Sequence, residues 1–472
     1  MARACTVARS LNAASESGTL TEVAEALAQR MRIQLADLLT VDRVPGARIV
    51  LTPSGTDAEM IATWLAARDC KRPLCNIVVA PAEVGSGTVL AAGVRHFNSH
   101  TPHGGEVLAG DPVAQDLTSL VRLETIAVRG RDGALVSADE FDATTVETVR
   151  AAIARGERVL LHHVAHSKTG AHVPSADAVR RLVAEYGHDQ ISVVVDAAQG
   201  RLSRSRLREA LSAGYIVLFT GSKFFGGPPF SGGLLLPPER HPDAMGAKSM
   251  PVGLGDYFTA SELPVEWSRA RKDLDDAPNV GLLVRWAAAL SEMEAYYDLP
   301  VETRHDVLSG FEAVVSEVLG ASPYLTLATV DPVLDTDQRE HPLESRRTVF
   351  PFYVHASHEG PETSLSAKRL SRIHDWCNRA VADLVPGIDG HALDERFHLG
   401  QPVTVSAALG RAVLRIAIGA PLVVRLATDT EIGDTLVERL AWMRERLLCL
   451  RRKLEQLSEH YATAAGAEEE AA

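Results

Sequence analysis

Nowhere in the 472 residues is there a run of about 18 apolar side chains, so no segment reads as a membrane-spanning helix. The opening stretch MARACTVARSLNAASESGTL also lacks the apolar centre of an export signal. Cysteine is scarce. The five present, Cys5, Cys70, Cys75, Cys377 and Cys449, are scattered, with no CxxC pair and no metal-ligand spacing. That argues against a disulfide-stapled domain and a cysteine-held metal, and it suits a reducing cytoplasm. Positive charge is in deficit: 48 Lys and Arg against 61 Asp and Glu leave a net charge of -13, which opposes broad attraction to nucleic acid or an anionic membrane. Aromatic residues make up only 5%, yet 46% hydrophobic and 23% charged residues are what an ordinary globular chain carries. The expectation is a soluble cytoplasmic protein of two or three domains whose partner is a small molecule, with no nucleic acid and no membrane partner.

Between residues 45 and 236, short β-branched runs alternate with helical patterns. The spacing predicts strands over 47–52, 76–80, 124–128, 158–164, 191–197, 215–220 and 232–237, with helices over 56–69, 144–155, 176–187 and 203–212. Most of these strands are continuously apolar rather than alternating, as strands covered on both faces must be. The expected fold class is α/β: a large domain over 45–255 with a mostly parallel seven-stranded sheet sandwiched by helices. Beyond Pro251 come helical patterns over 279–297, 303–318 and 364–384 and the strand-like runs TVFPFYV and AVLRIAIG, which suggest a smaller α+β domain over 256–430. Residues 1–44 are expected to pack on that smaller domain. The closing segment, 431–472, is a helix followed by an acidic tail. Leu436, Leu440, Met443, Leu447, Leu450, Leu454 and Leu457 recur there at alternating spacings of 4 and 3. They form either a seam for a second copy or a packing face on the helix's own domain.

Three stretches carry chemistry. In LTPSGTDAEMIATW an apolar strand runs through Ser54, Gly55, Thr56 and Asp57 into a helix. Ser54 or Thr56 caps it, and the free N–H groups of its first turn make an anion site, most simply for a phosphate. Asp57 is expected to offer only its backbone N–H, because an inward carboxylate would repel that phosphate. In VVVDAAQG a strand ends at Asp196, with Gln199 three residues on; in an open parallel sheet, ligands bind outside the carboxyl ends of strands. In LFTGSKFFGGPPFSGG, Thr220, Ser222 and Lys223 follow another strand, Lys223 lying 27 residues after Asp196. Each stretch alone is as well explained by capping or a solvated strand end. Together, a phosphate-binding helix start, a carboxylate and a lysine at one sheet edge are the parts a pyridoxal 5'-phosphate site requires.

SGTDAE, VVVDAAQ, TGSKFFGGPPFSG and LRIAIG, in this order over residues 45–425, resemble the fold-type I pyridoxal-phosphate enzymes of the class V aminotransferase and cysteine desulfurase group. The resemblance implies Lys223 as the Schiff-base lysine, Asp196 as the partner of the pyridine nitrogen and Gln199 as donor to the ring hydroxyl. It further implies Thr220 as a phosphate ligand and Arg415 as the grip on a substrate carboxylate, with the site at a homodimer interface. Departures narrow the chemistry. Desulfurases carry a reactive cysteine on a mobile loop before the carboxylate arginine, but 320–350 contains none, and Cys377 lies in a helical pattern, so persulfide chemistry is not expected. Ser222 stands where a histidine often precedes the lysine, and the residue stacking on the ring is not assignable in AEVGSGTVLAAGVRHF. The histidine-rich LHHVAHSKTGAHVP does not read as a metal site, since His162 and His163 are adjacent on a strand and face opposite sides. His166 or Ser167 there either touches the ring hydroxyl or substrate or serves the fold. The resulting expectation is a pyridoxal-phosphate enzyme acting on an amino acid, by amino transfer first and by β-elimination or carbon–sulfur lysis second, with a non-catalytic binding protein on the same fold third.

Overall fold

A computed structural model describes residues 2–67, 72–238, 250–328, 330, 341–356, 364–382 and 390–462. The helices are α1 (Ala2–Ser17), α2 (Leu20–Leu39), α3 (Gly55–Ala67), α4 (Thr88–Ala92), α5 (Gln115–Thr118), α6 (Ala138–Ala154), α7 (Ala176–Tyr186) and α8 (Arg204–Ser212). They continue with α9 (Ser268–Arg271), α10 (Val280–Tyr297), α11 (Val301–Gly320), α12 (Pro342–Ser345), α13 (Ala367–Cys377), α14 (Gly390–Asp394), α15 (Ala420–Thr428) and α16 (Leu436–Ala462). The strands are β1 (Arg48–Thr52), β2 (Leu74–Val79), β3 (Val121–Ile126), β4 (Arg158–Val164), β5 (Ile191–Ala197), β6 (Ile216–Thr220), β7 (Gly232–Leu236), β8 (Leu325–Leu327), β9 (Val349–Val354), β10 (Gly400–Ser406) and β11 (Arg411–Ala417).

Compactness divides the chain into two units, one of residues 1–128, 136–167 and 172–298, the other of 129–135, 168–171 and 299–472. The first unit holds a seven-stranded sheet of order β1-β7-β6-β5-β4-β2-β3. All its pairs are parallel except those of β7, which runs against both β1 and β6. Two reversals restore direction, so β1 ends at the same edge as β2, β4, β5 and β6. The mostly parallel α/β sheet predicted from the apolar runs is present. β2, β5, β6 and β7 are buried along their whole length, which is why their sequences do not alternate.

Helices cover both faces, and β4 shows the division: His162 meets Glu59 of α3, whereas the charges nearest His163 are Asp142, Arg206 and Arg180 of α6, α8 and α7. These last three helices each start at a serine, Ser137, Ser175 or Ser203, whose hydroxyl accepts from the amide three residues on, the usual remedy for unpaired N–H groups at a helix start. Helix α3 has no wet side at all. Asp57 through Ala67 are buried, enclosed partly by Tyr257, Phe258, Leu263 and Trp267, with Trp267 edge-on to Trp64 at 6.4 Å.

That enclosure corrects the expected boundaries. Residues 256–298 belong with the large sheet, because their aromatics cover α3 and Trp286 Nε1 donates to Gly232 O at 3.0 Å. Residues 1–44 lie in the same unit, where α1 and α2 pack on α10 rather than on the smaller domain. An amphipathic N-terminal pattern announces a helix to be covered but not the element that covers it.

The second unit contains the antiparallel sheet β10-β11-β9-β8 with α11, α13, α15 and α16. Helix α16 packs on α11, α13, α14 and α15, burying Leu447, Leu450, Leu454 and Leu457. Close approach to α11 needs Gly310: a Cβ there would lie 2.3 Å from Leu440 Cδ1. The leucine repeat thus serves the helix's own unit. Residues 431–462 belong with that unit, and the acidic tail at 463–472 lies outside the described residues.

Candidate active site

The turn from β1 to α3 is built around Ser54. Its Oγ accepts from the amides of Thr56 at 3.1 Å and Asp57 at 3.2 Å and donates to Asp57 Oδ2 at 2.5 Å. The serine therefore caps α3, and the Asp57 amide expected to meet a ligand is engaged by it. Burial pushes the Asp57 carboxyl up to about 6 against the opposing hydrogen bond from Ser54, and its Oδ1 has no hydrogen-bond partner among the described residues.

Gly55 marks where this turn meets the next strands. A Cβ on it would lie 3.4 Å from both Ala198 Cβ and Thr220 Cγ2, so the ends of β5 and β6 close on the helix start. A Cβ on Gly85 would likewise lie 3.2 Å from Thr56 Oγ1, which brings in the segment after β2. Thr220 Oγ1 donates to Ala198 O at 2.6 Å. Its hydroxyl must rotate about one bond before it can donate to an anion.

Asp196 ends β5 in register with Val164 of β4 and Leu218 of β6. It is only 7% exposed, and its Oδ1 accepts from Ala198 N at 3.0 Å, a local bond that fixes the carboxylate against its own turn. Buried Arg201 reaches back to Gln199, donating to its backbone oxygen and to Oε1, each at 3.2 Å. With Oε1 so engaged, the amide presents Nε2 as a donor. Arg201 also lies over the Phe224 ring at 5.3 Å, and Phe224 N donates to Gln199 O at 3.1 Å. These contacts tie the Asp196–Gln199 turn to the Lys223 loop.

That loop is held from below. Gly221 and Gly227 lie on α10, where a Cβ on either would come within 2.6 Å of Ala289 Cβ, and Phe224 and Phe225 pack edge-on to Tyr296 at 5.0 and 5.9 Å. With both phenylalanines turned inward, Ser222 is half-buried and Lys223 is exposed in the single chain. The apolar anchors fix the loop, and the lysine is the residue left to project.

After β4, Ser167 Oγ donates to Glu83 Oε2 at 2.6 Å, with both residues buried. His166 is buried against His172, their rings 5.1 Å apart. Burial, helped by nearby Arg201, pushes the His166 pKa down to about 3. Its Nδ1 lies 3.1 Å from the Ser167 carbonyl, which can only accept, so Nδ1 carries the proton of the neutral ring. Among the described residues no cluster of histidine, cysteine, aspartate and glutamate is arranged to hold a metal.

Arg415 belongs to the second unit. Its Nε and Nη2 donate to Gln401 O at 3.3 and 3.1 Å, and Nη1 donates to Lys168 O at 3.1 Å, so carbonyls of its own unit orient the fork. Cys377 is buried in α13, and burial pushes its thiol up to about 12, the state of an inert packed cysteine.

The first unit thus brings Ser54, Gly55, Thr56, Asp57, Thr220, Asp196, Gln199, Ser222 and Lys223 to one sheet edge, with His166 and Ser167 on the loop after β4. Glu83, Arg201, Glu59 and His162 were not anticipated. Each left a faint trace, a charged or ionisable residue inside or directly after an apolar run.

No protein-family model and no curated protein sequence matches the chain. Solved structures do resemble it. The cysteine desulfurase CsdA from Escherichia coli is 16% identical with a TM-score of 0.50, over 93% of this chain and 86% of that one. A C-DES variant with glycine covalently linked to its PLP cofactor is 15% identical with a TM-score of 0.55, over 94% and 92%. TDC from Oryza sativa with PLP is 12% identical with a TM-score of 0.53, over 98% and 82%. Identities this low establish the fold alone, that of the fold-type I pyridoxal-phosphate enzymes.

Proposed function

We propose that this chain, which has the fold of the fold-type I pyridoxal-phosphate enzymes, binds pyridoxal 5'-phosphate and uses it to transform an amino acid. The observation that carries this is the convergence on Gly55: one helix start, the Asp196 turn and the Thr220–Lys223 loop close on a single point at the carboxyl edge of the sheet. The residues fit the group. They offer an exposed primary amine, a nearly buried carboxylate, an oriented amide donor and a helix N-terminus beside two hydroxyls.

When bound, the cofactor supplies an aldehyde for an amine and an electron-withdrawing ring that loosens bonds at the substrate's α-carbon. In this reading Lys223 Nζ would hold the cofactor at its aldehyde, whose oxygen leaves as water, and would serve as the group that moves a proton at the substrate's α-carbon. Asp196 would be the carboxylate partner of the ring nitrogen. Gln199 Nε2 would be the donor for the ring hydroxyl, with Arg201 fixing its direction. The Ser54–Asp57 turn and Thr220 hold the phosphate, favoured by the positive end of α3. Arg415 takes the substrate carboxylate in its planar fork, and His166 and Ser167 border the substrate.

Amino transfer is the leading reaction because it needs only the lysine, the electron sink and the carboxylate grip; β-elimination or carbon–sulfur lysis uses the same parts with a leaving group. The acidic balance of the chain favours a small-molecule partner over nucleic acid, and no helix among the described residues is long and apolar enough to cross a membrane. We place the protein in the cytoplasm as a homodimer, on cysteine usage and on the resemblance respectively. The test is direct. The purified protein should absorb in the visible range with cofactor, and borohydride should fix that cofactor to one peptide containing Lys223. A screen of amino acids with and without a 2-oxo acid then separates keto acid from ammonia or sulfide as product. Label on another lysine, or no uptake, overturns the reading.

A further inference from the structure

Beneath the site lies a buried ionic pair that the proposed chemistry leaves unused. His162 of β4 and Glu59 of α3 are both 0% exposed, with Nε2 and Oε1 3.0 Å apart. Burial of two ionisable groups is expensive unless they compensate one another, and on the sheet side Asn76 of β2 closes the cluster. Its Nδ2 lies 3.5 Å from Glu59 Oε1 and 3.0 Å from both Thr63 Oγ1 and Ala92 O.

The register points this pair at Asp196. His162 pairs with Val194 and Val164 with Asp196, and residues two apart share a face of a strand, so His162 and Asp196 are diagonal neighbours on the face that α3 covers. The groups facing His162 are then Glu59 from α3, Asp196 from β5 and, without charge, Asn76 from β2. Neither ring nitrogen of His162 has a well-aligned hydrogen bond among the described residues. Burial pulls its pKa down, but Glu59, by charge and by close hydrogen-bonding contact, and then the charge of Asp196 leave it raised above the usual histidine value.

We propose that His162 and Glu59 are positioning residues that act through Asp196 on the cofactor's ring nitrogen; the inference rests on the pyridoxal-phosphate reading. Two buried carboxylates with one imidazolium between them leave a single negative charge at the end of β5, matched by one proton on the ring. Helix α3 thereby grips both ends of the ligand. Its N-terminus meets the phosphate, and Glu59, one turn further on, steadies the nitrogen end through His162.

The experiment loads the unaltered chain, Glu59→Gln and His162→Gln with pyridoxal phosphate ¹⁵N-labelled at the ring nitrogen and follows the ¹⁵N shift against pH. Circular dichroism confirms the fold. The midpoint for loss of the ring proton should fall by about one to two pH units in Glu59→Gln, which removes a negative charge, and rise by a similar amount in His162→Gln, which removes the positive one, the range for removing a neighbouring charge, while cofactor affinity changes less than tenfold because the phosphate anchor is intact. A second measurement needs no cofactor. In ¹⁵N-histidine-labelled protein, the midpoint for loss of the second His162 ring proton should lie above the usual histidine value and fall in Glu59→Gln. An unmoved ring-nitrogen midpoint in a folded, loaded Glu59→Gln protein, or a neutral His162 at pH 6, overturns the inference and leaves the cofactor reading standing. No cofactor uptake by the unaltered chain overturns both.

Discussion

Asp57→Asn should make the protein more stable at neutral pH, and the gain should vanish in acid. The carboxyl is buried at the start of α3 with its ordinary value of 3.8 raised to about 6, burial being the main cause. An acid whose pKa rises on folding binds its proton more tightly in the native state. Its contribution to stability is full below 3.8 and is lost as pH climbs through about 6. At about 1.4 kcal/mol per pH unit, that rise corresponds to about 3 kcal/mol of burial cost for the ionised group above pH 6. Asparagine keeps the shape and an oxygen to accept from Ser54 Oγ but never ionises. Urea unfolding of both proteins from pH 4 to pH 8 measures this. The difference in unfolding free energy should grow with pH by about 3 kcal/mol and level off above pH 7. Any constant offset between the proteins reports the new amide, not the charge. A difference that stays flat with pH, or one that favours the aspartate increasingly as pH rises, would falsify the argument that Asp57 ionises at a cost. The same residue belongs to the turn of the proposed phosphate site, so cofactor uptake near pH 7 should draw a proton from solution in the parent protein and less in the variant.

Arg415→Lys keeps the charge but loses the planar fork, and should weaken amino-acid binding by about 1.5–3 kcal/mol, roughly ten- to a hundredfold. Amines lacking the carboxylate should be unaffected, whereas equal losses for both would place the arginine in the scaffold with the carbonyls of Gln401 and Lys168. Light scattering should give a dimer mass, since two-fold dimers are the commonest soluble oligomers, and monomer mass across micromolar concentrations would refute it. Truncation after Asp434 should lower the unfolding temperature of the second unit, because Leu447, Leu450, Leu454 and Leu457 are buried there; an unchanged melt would return the leucine repeat to the role of a seam.

The buried strands were the most legible part of the chain. β4 and β5 coincide with the predicted runs at both ends, because a strand covered on two faces needs apolar residues throughout and stops where they stop. Edge strand β3 begins three residues before the predicted 124–128; its Arg122 and Glu124 are charged, and its pairing with β2, not its hydrophobicity, sets its extent. Strands β8 and β10 were missed, the first for its brevity and the second because Gly400 and Pro402 read as a turn. In the site, residues within one turn could be read locally, as with Asp196 and Gln199. Arg201's hold on Gln199, Ser167's bond to Glu83 and the pairing of Glu59 with His162 depend on contacts between separate segments, and these are set by sheet register and helix placement that no single window contains.

The direction of β7 ties these observations together. β7 runs against both β1 and β6, and these two reversals leave β1 running with β5 and β6; the β1 turn therefore opens at the edge of the proposed ligand site, and α3 crosses the face of the sheet from there. A helix so placed is covered everywhere and cannot spend polar residues on solvent. Its two carboxylates, Asp57 and Glu59, are therefore either costs or instruments. Glu59 has a partner in His162. Asp57 has Ser54 and an oxygen with no hydrogen-bond partner among the described residues, so the energetic tension of the site is concentrated in the turn where the proposed cofactor's phosphate would bind, and the charge that a ligand must displace or protonate is already in place before it arrives.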